Sequence, residues 1–416
     1  MNLVFDKWNE HGSPLPNLSQ LNNKNQFALF PFFMKEGDLP DKMGMEDITI
    51  KKCKLNEINL NEKFYYIISL RFSLLFCIKN SDIFLPKEIE YHIKNNNLKV
   101  IFLSEVETHK YYDIFIELLI KKIKKNNWKE ENFYIIDNNS IHKDIKEKFN
   151  TNINFFKINY LLYKLSKLTN KISPDNLLLD KKFIFLCYNR EPHHHRILFL
   201  THLKRLKLLQ DNIINWSLIF EHIDENKTVD SVSLTRFKDY IDINDKELVS
   251  DFTKLRKTKK TCYYENDVNI INANNDKHNF DMVGYVTETS FENAYINIVT
   301  ETHFILSEGI HITEKSFKPF YYFQIPIFLA SHNYVKTLKD EYGFYLFDDL
   351  IDHSYDDEKD DSKRFKMVIN EIQRLSNMRE EILNYYKRNK DNMIYNHNIV
   401  KNNQAEAVFK EYILNI

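Results

Sequence analysis

Glycine is scarce. The 416-residue chain has six, at Gly12, Gly37, Gly44, Gly284, Gly309 and Gly343. No two are spaced to build G-x-G-x-x-G or G-x-x-x-x-G-K, so the glycine-rich loops that usually cradle phosphates are excluded. Any phosphate bound here must be held by side chains or helix ends. Cysteine is as sparse: Cys53, Cys77, Cys187 and Cys262 stand far apart, with no C-x-x-C pair. That argues against a zinc knuckle or a disulfide framework and for reduced intracellular thiols. Long apolar runs are missing too. The longest, Phe64 to Ile78, spans about 15 residues and contains Arg71, too short and too charged for a bilayer span. The start, MNLVFDKWNEHGSP, lacks the basic and apolar regions of a secretory peptide. A soluble, cytoplasmic protein is expected. Neither sign of charge is in excess, 58 Lys and Arg against 59 Asp and Glu, so bulk electrostatics gives no reason to expect tight polyanion binding.

What is present is core material: 43% hydrophobic residues, including 32 Phe and 24 Tyr, which excludes a disordered or collagen-like chain. Residues 1–60 are irregular, broken by Pro14, Pro16, Pro31 and Pro40. From there, short β-rich runs alternate with segments of helical period. FYYIISL (64–70), LKVIFLS (98–104), NFYIID (132–137) and NINFFKI (152–158) read as strands, with helices over 86–97 and 111–125. A polar, proline-containing stretch at 167–176 reads as a linker. The alternation then resumes: strand 181–189, helix 192–210, strand 216–220, a charged and less regular region to about 262, strand 295–299, helix from 313, strand 326–330, helix 335–342 closed by Gly343, and a largely helical tail. The expected fold is α/β, with one Rossmann-like domain over 61–170, a second over 171–390 and a helical tail over 391–416.

Ligands of open α/β sheets gather at the carboxyl ends of strands, and two such junctions stand out. The first is Cys187-Tyr188-Asn189-Arg190-Glu191-Pro192-His193-His194-His195-Arg196. Pro192 suits a first helical turn, and Arg190 and Arg196 flank a helix start where guanidinium forks and free N–H groups could hold a diphosphate. The bland alternative is a solvated basic helix start. Three consecutive histidines do not converge on a helix, so no metal is expected. The second junction is Val299-Thr300-Glu301-Thr302, followed by Ile312-Thr313-Glu314-Lys315-Ser316-Phe317-Lys318-Pro319. Thr313 is a good N-cap, which puts Glu314 and Lys315 in the first turn. A carboxylate there can accept both hydroxyls of a ribose, and Lys315 or Lys318 can meet a phosphate. Taken singly, each of these also reads as ordinary complementation of a helix dipole.

In this order the motifs resemble the nucleotide-sugar half of GT-B glycosyltransferases, most closely the α1,3-fucosyltransferase-like group. That group carries a strand ending in F-E-N, then Y-[IV]-T-E-K opening a helix, then a V-P-V strand. Val299 to Thr302 take the first place, Ile312 to Lys315 the second and Ile325-Pro326-Ile327 the third. Thr302 stands where the group has Asn, and the interval between the glutamates is longer. Phe291-Glu292-Asn293 precedes the strand and is set aside as a decoy. The chain also resembles uncharacterised viral and phage open reading frames with N-R-x-P-x-x-H-R and I-T-E-K-[TS]-[FW]-K-P. The resemblance covers roughly 181–330. It implies two Rossmann-like domains facing across a cleft (GT-B type), a nucleotide-sugar donor and a glycan or other hydroxyl acceptor. It places Glu314 on the donor ribose, Lys315 with Arg190 or Arg196 on the diphosphate, Glu301 near the sugar or nucleotide, and Asn189 and Lys318 among the donor-binding residues.

GT-A enzymes use a D-x-D for their metal, and the chain has no such triplet. No metal or cofactor is expected, and the acidic run Asp356 to Asp361 reads as a solvated loop. For the general base, the segment after strand 98–104 offers Glu105, Glu107 and His109, each able to deprotonate a hydroxyl and each equally readable as a helix-capping turn. Two rival functions remain. Lys121-Lys122-Ile123-Lys124-Lys125 and the basic residues of 254–260 raise nucleic-acid binding, against which a solvated helix face is the simpler reading. The other rival is a non-catalytic protein that keeps the fold.

Overall fold

The computed structural model describes residues 2–5, 51–69, 82–83, 85–104, 109–137, 142–157, 162, 172, 174, 177, 180–187, 189, 194–208, 245–257, 291–306 and 309–402. The chain divides into two compact units, Met1–Tyr160 with Gln404–Ile416, and Leu161–Asn403. Each is α/β, and all the described strands pair in parallel.

In the first unit the consecutive strands β3 (Phe64–Ser69), β4 (Leu98–Ser104), β5 (Phe133–Asp137) and β6 (Asn154–Lys157) pair in sequence order. Helices α1 (Lys87–Lys94), α2 (His109–Asn126) and α3 (His142–Phe149) make the crossovers that parallel pairing requires. One face of the sheet, at period two, is Phe64, Tyr66, Leu98, Val100, Phe102, Phe133 and Ile135. It meets Ile89 and Ile93 of α1 and Phe115, Ile116, Leu119 and Ile123 of α2, spaced for one helical face. Each such side chain contributes roughly 1.5–3 kcal/mol on burial.

Two strands correct the expectation of an irregular N-terminus. β1 (Asn2–Phe5) inserts between β3 and β2 (Lys51–Lys54). Four residues are too few to show a period, and only long-range pairing defines these strands. α3 likewise carries little local signal, because HKDIKEKF has few apolar residues to set a helical period. The scarcity of glycine has a structural answer at helix ends. Asn96, Asn127 and Asn150 follow α1, α2 and α3 with φ of 58°, 54° and 44°, since asparagine is the side chain that best tolerates the left-handed region.

The second unit is built on β7 (Phe183–Leu186), β8 (Ala294–Thr300) and β9 (Ile325–Leu329), side by side in that order. Every residue of β8 and β9 is buried, as befits a parallel sheet covered on both faces. Pro326 is accommodated because β9 is the outer strand among the described residues. Around the sheet lie α4 (His194–Arg205), α5 (Lys246–Lys257), α6 (Glu314–Tyr321), α7 (Tyr334–Tyr342), α8 (Asp361–Ser376), α9 (Arg379–Arg388) and α10 (Lys390–Lys401). Gly343 closes α7 at φ 73°, as its sequence position indicates. α5 lies in the stretch expected to be less regular, and the expected strand 216–220 falls outside the described residues.

Long-range polar anchors set the helices on this sheet. Gln324 accepts from Asn297 Nδ2 at 2.8 Å and donates to the carbonyls of Phe291 (2.9 Å) and Ala294 (3.0 Å). Phe291 to Asn293 immediately precede β8, at its amino end. There Lys181, 4% exposed, donates to the Glu292 carbonyl at 2.7 Å and lies 5.2 Å from the Tyr386 ring centroid. Burial, partly offset by Glu292, pushes its ammonium down to about 8 from 10.5. Below pH 8 it is charged folded and unfolded, and the burial penalty is fully present. Between about 8 and 10.5 the unfolded chain binds the extra proton, so this penalty shrinks as pH rises. The penalty is about 3 kcal/mol, against about 1 kcal/mol for the hydrogen bond. Lys181→Met should therefore be more stable than the parent to urea at pH 7, and the gap should close by pH 10. A variant less stable at pH 7 would refute this.

Candidate functional site

β8 ends at Thr300, and the next residue, Glu301, is fully buried (0% exposed). Its carboxylate is the centre of a network. Oε1 accepts from Thr313 N (3.2 Å), Thr313 Oγ1 (3.0 Å), Ser316 Oγ (2.6 Å) and Tyr334 Oη (2.8 Å). Oε2 accepts from Thr302 N at 3.2 Å and again from Thr313 Oγ1 at 2.8 Å. Thr313 is the N-cap of α6, its Oγ1 accepting from Lys315 N at 3.3 Å. A side chain at the end of a strand thus fastens the start of the next helix, on both sides of Glu314 and Lys315.

Glu314 opens α6 with 7% of its surface exposed, and Oε1 lies 3.3 Å from Lys315 Nζ. Burial acts to raise its pKa, but the charges of Lys315 and Lys318, with hydrogen bonds, outweigh it and hold the carboxyl below the ordinary value. It stays an acceptor at any neutral pH. Lys315 is more open, with 29% of its side chain exposed, and Nζ also donates to Thr313 Oγ1 at 3.1 Å. Lys318 follows one turn later, half-buried.

The first junction of the sequence is packed beneath the same strand end. Arg196, 2% exposed, donates from Nη2 to the Thr300 carbonyl at 2.9 Å. His195 Nε2 lies 2.8 Å from the Glu301 carbonyl. Asn189 accepts from Thr300 Oγ1 and donates to Cys187 Sγ at 3.1 Å. Burial pushes the Cys187 thiol up to about 12, the hydrogen bond from Asn189 and the Arg196 charge only partly countering it, so it is no nucleophile near neutrality. Asn189 and Arg196, each 2% exposed, therefore brace the end of β8. Arg190, Glu105 and Glu107 lie outside the described residues, and of His109 only its place as the first residue of α2 is described.

Two further residues, neither marked by a local motif as buried, complete this edge. Arg364 of α8, 1% exposed, donates Nε to the Ala330 carbonyl at 3.1 Å, Nη1 to the Glu358 carbonyl at 2.9 Å, and Nη2 to the Phe304 carbonyl and to Asp361. Asp356 corrects the expectation of a wholly solvated acidic loop. It is 6% exposed and accepts from Val335 N and Lys336 N, each at 2.9 Å, capping α7 from outside the helix. Its partners lie about 20 residues away, beyond any local pattern. Burial raises its pKa despite those bonds.

Both helices after these strands thus start against a carboxylate of the protein itself, Glu301 at α6 and Asp356 at α7. Among the described residues at this edge, Glu314 and Lys315 stand as a side-chain pair at the start of α6, with Lys318 one turn on. The pair offers an anionic acceptor for hydroxyls beside a cationic donor for an oxyanion.

No protein-family model, curated protein or solved structure matches the chain. Among the described residues no helix is long and apolar enough to cross a membrane, and no three His, Cys, Asp or Glu side chains stand together as a metal cage.

Proposed function

We propose that the second unit binds a nucleotide-diphosphate sugar and that the chain is a metal-independent glycosyltransferase of the GT-B type, moving the sugar to a hydroxyl acceptor such as a glycan. The observation that carries this is the Glu314–Lys315 pair, held rigidly at the carboxyl edge of a parallel sheet by Thr313 and Glu301. A depressed, ionised carboxyl suits the two hydroxyls of a ribose. The ammonium groups of Lys315 and Lys318 suit a diphosphate, whose charge they would stabilise as it leaves. This division of labour agrees with the I-T-E-K and I-P-I motifs and with the lack of D-x-D. Two parallel α/β units are also what a GT-B enzyme requires. Arg190 would join the diphosphate, and the acceptor's base would come from Glu105, Glu107 or His109.

Thermal denaturation with a panel of GDP, UDP and their sugars tests the reading. A ligand at about 100 times its Kd stabilises the folded state by about 2.7 kcal/mol, so at least one nucleotide at millimolar concentration should raise the melting temperature by several degrees. No shift with any of them would overturn the proposal.

A further inference from the structure

Tyr334 is the first residue of α7, 1% exposed, with its ring against Phe328 of β9 at 5.5 Å between centroids. Its hydroxyl lies 2.8 Å from Glu301 Oε1 and 2.7 Å from Ser316 Oγ, and Ser316 Oγ lies 2.6 Å from the same Oε1. Three oxygen–oxygen contacts are served by two hydroxyl hydrogens. The contacts are therefore mutually dependent, and removing one hydroxyl alters both that remain. Burial, then Glu301, push the phenol's pKa well up, so it stays protonated across the working range. Three elements meet here, the end of β8 through Glu301, α6 through Ser316 and α7 through Tyr334. Thr313 and Ser316, both held by Glu301, flank Glu314 and Lys315.

We infer that Tyr334 is a positioning residue for the ligand site. It touches no ligand itself, but through Glu301 and Ser316 it fixes the first turn of α6, and so sets the angle at which Glu314 and Lys315 meet a nucleotide. This rests on the proposed function and extends it to a residue that no sequence motif marks. A buried hydroxyl network of this kind restricts conformations more than it adds stability. Misplacement of a binding pair by a fraction of an ångström is costly.

Tyr334→Phe keeps the ring and deletes the hydroxyl, and Ser316→Ala does the same from the other side. Each is compared with the parent by calorimetric titration with GDP and UDP and by peptide-resolved hydrogen exchange over residues 312–321. The expected result for both variants is a Kd raised about tenfold, the effect of about one hydrogen bond. The amides of Thr313, Lys315 and Ser316 should exchange about tenfold faster. Mere loss of stability would lower the melting temperature and leave the affinity of the folded protein unmoved. A parent that binds and a Tyr334→Phe variant that binds equally well would overturn the positioning role. So would exchange over 312–321 that matches the parent. A parent that binds neither nucleotide overturns the proposed function instead, and takes the positioning role with it.

Discussion

On the proposed function, Glu314→Ala is expected to abolish nucleotide binding and to leave the second unit folded. The fold cost is modest, because a carboxylate in the first turn of a helix contributes up to about 2 kcal/mol through the dipole when it is buried, as Glu314 is. The rest of the α6 start is held independently by Thr313 and Glu301. The sign of its pH dependence follows from the depressed pKa. Its contribution to stability is present above the ordinary carboxyl value and is lost as pH falls through the lower, folded one. At pH 7 the variant should melt only a few degrees below the parent. Binding is another matter. Two hydrogen bonds from ribose hydroxyls to a charged acceptor are worth about 1.5–3 kcal/mol each, so the Kd should rise at least about a hundredfold.

A second arm sharpens this. Glu314 holds Lys315 Nζ at 3.3 Å, so deleting the carboxylate removes that ammonium's anionic partner and leaves it with Thr313 Oγ1. Inorganic pyrophosphate should bind the variant at least as well as the parent. Calorimetric titration of both ligands decides the matter. Unchanged nucleotide affinity would show that Glu314 does not hold the ribose. Pyrophosphate binding lost together with nucleotide binding would show that the variant damaged the whole edge.

The second large effect is structural. Arg364→Met should destabilise the second unit by about 3–5 kcal/mol, the range found when one partner of a buried charged network is removed. The Ala330 and Phe304 carbonyls would lose their guanidinium donor inside the protein. Asp361, 19% exposed, would lose its cation. In a unit of this size that corresponds to roughly 10 °C in melting temperature. Arg364→Lys should recover little, because one ammonium cannot reproduce the planar fork that spans residues from three segments. A loss below about 1 kcal/mol on calorimetric melting of Arg364→Met would contradict this account.

Much of the second sheet was legible because its signals are local. YINIV and PIFLA are continuous apolar runs, Thr313 is a capping residue in the right place, and Gly343 closes a helix as its position suggests. What escaped depends on distant partners. β1 and β2 are four residues long and acquire meaning only through pairing with each other and with Phe64 to Tyr66. Asp356 looked solvated because Val335 and Lys336, which need it, lie on another element. The site shows the same division. Glu314 and Lys315 stand at a helix start, as their spacing after a capping threonine indicates. Glu301 is marked by its place after a strand, but its carboxylate's partners Thr313, Ser316 and Tyr334 come from two other elements, and the last of them no motif names.

The carboxylates resident at the two helix starts have an energetic corollary. A helix whose terminal charge is already answered from within has no need of a guest to settle it, so the unoccupied protein should be as well ordered at this edge as the occupied one. Association would then incur little entropy of ordering. It would also carry a modest dependence on ionic strength. At the start of α6 the backbone N–H groups of Thr313 and Lys315 are already bonded within the protein, and an anion would meet chiefly the ammonium groups.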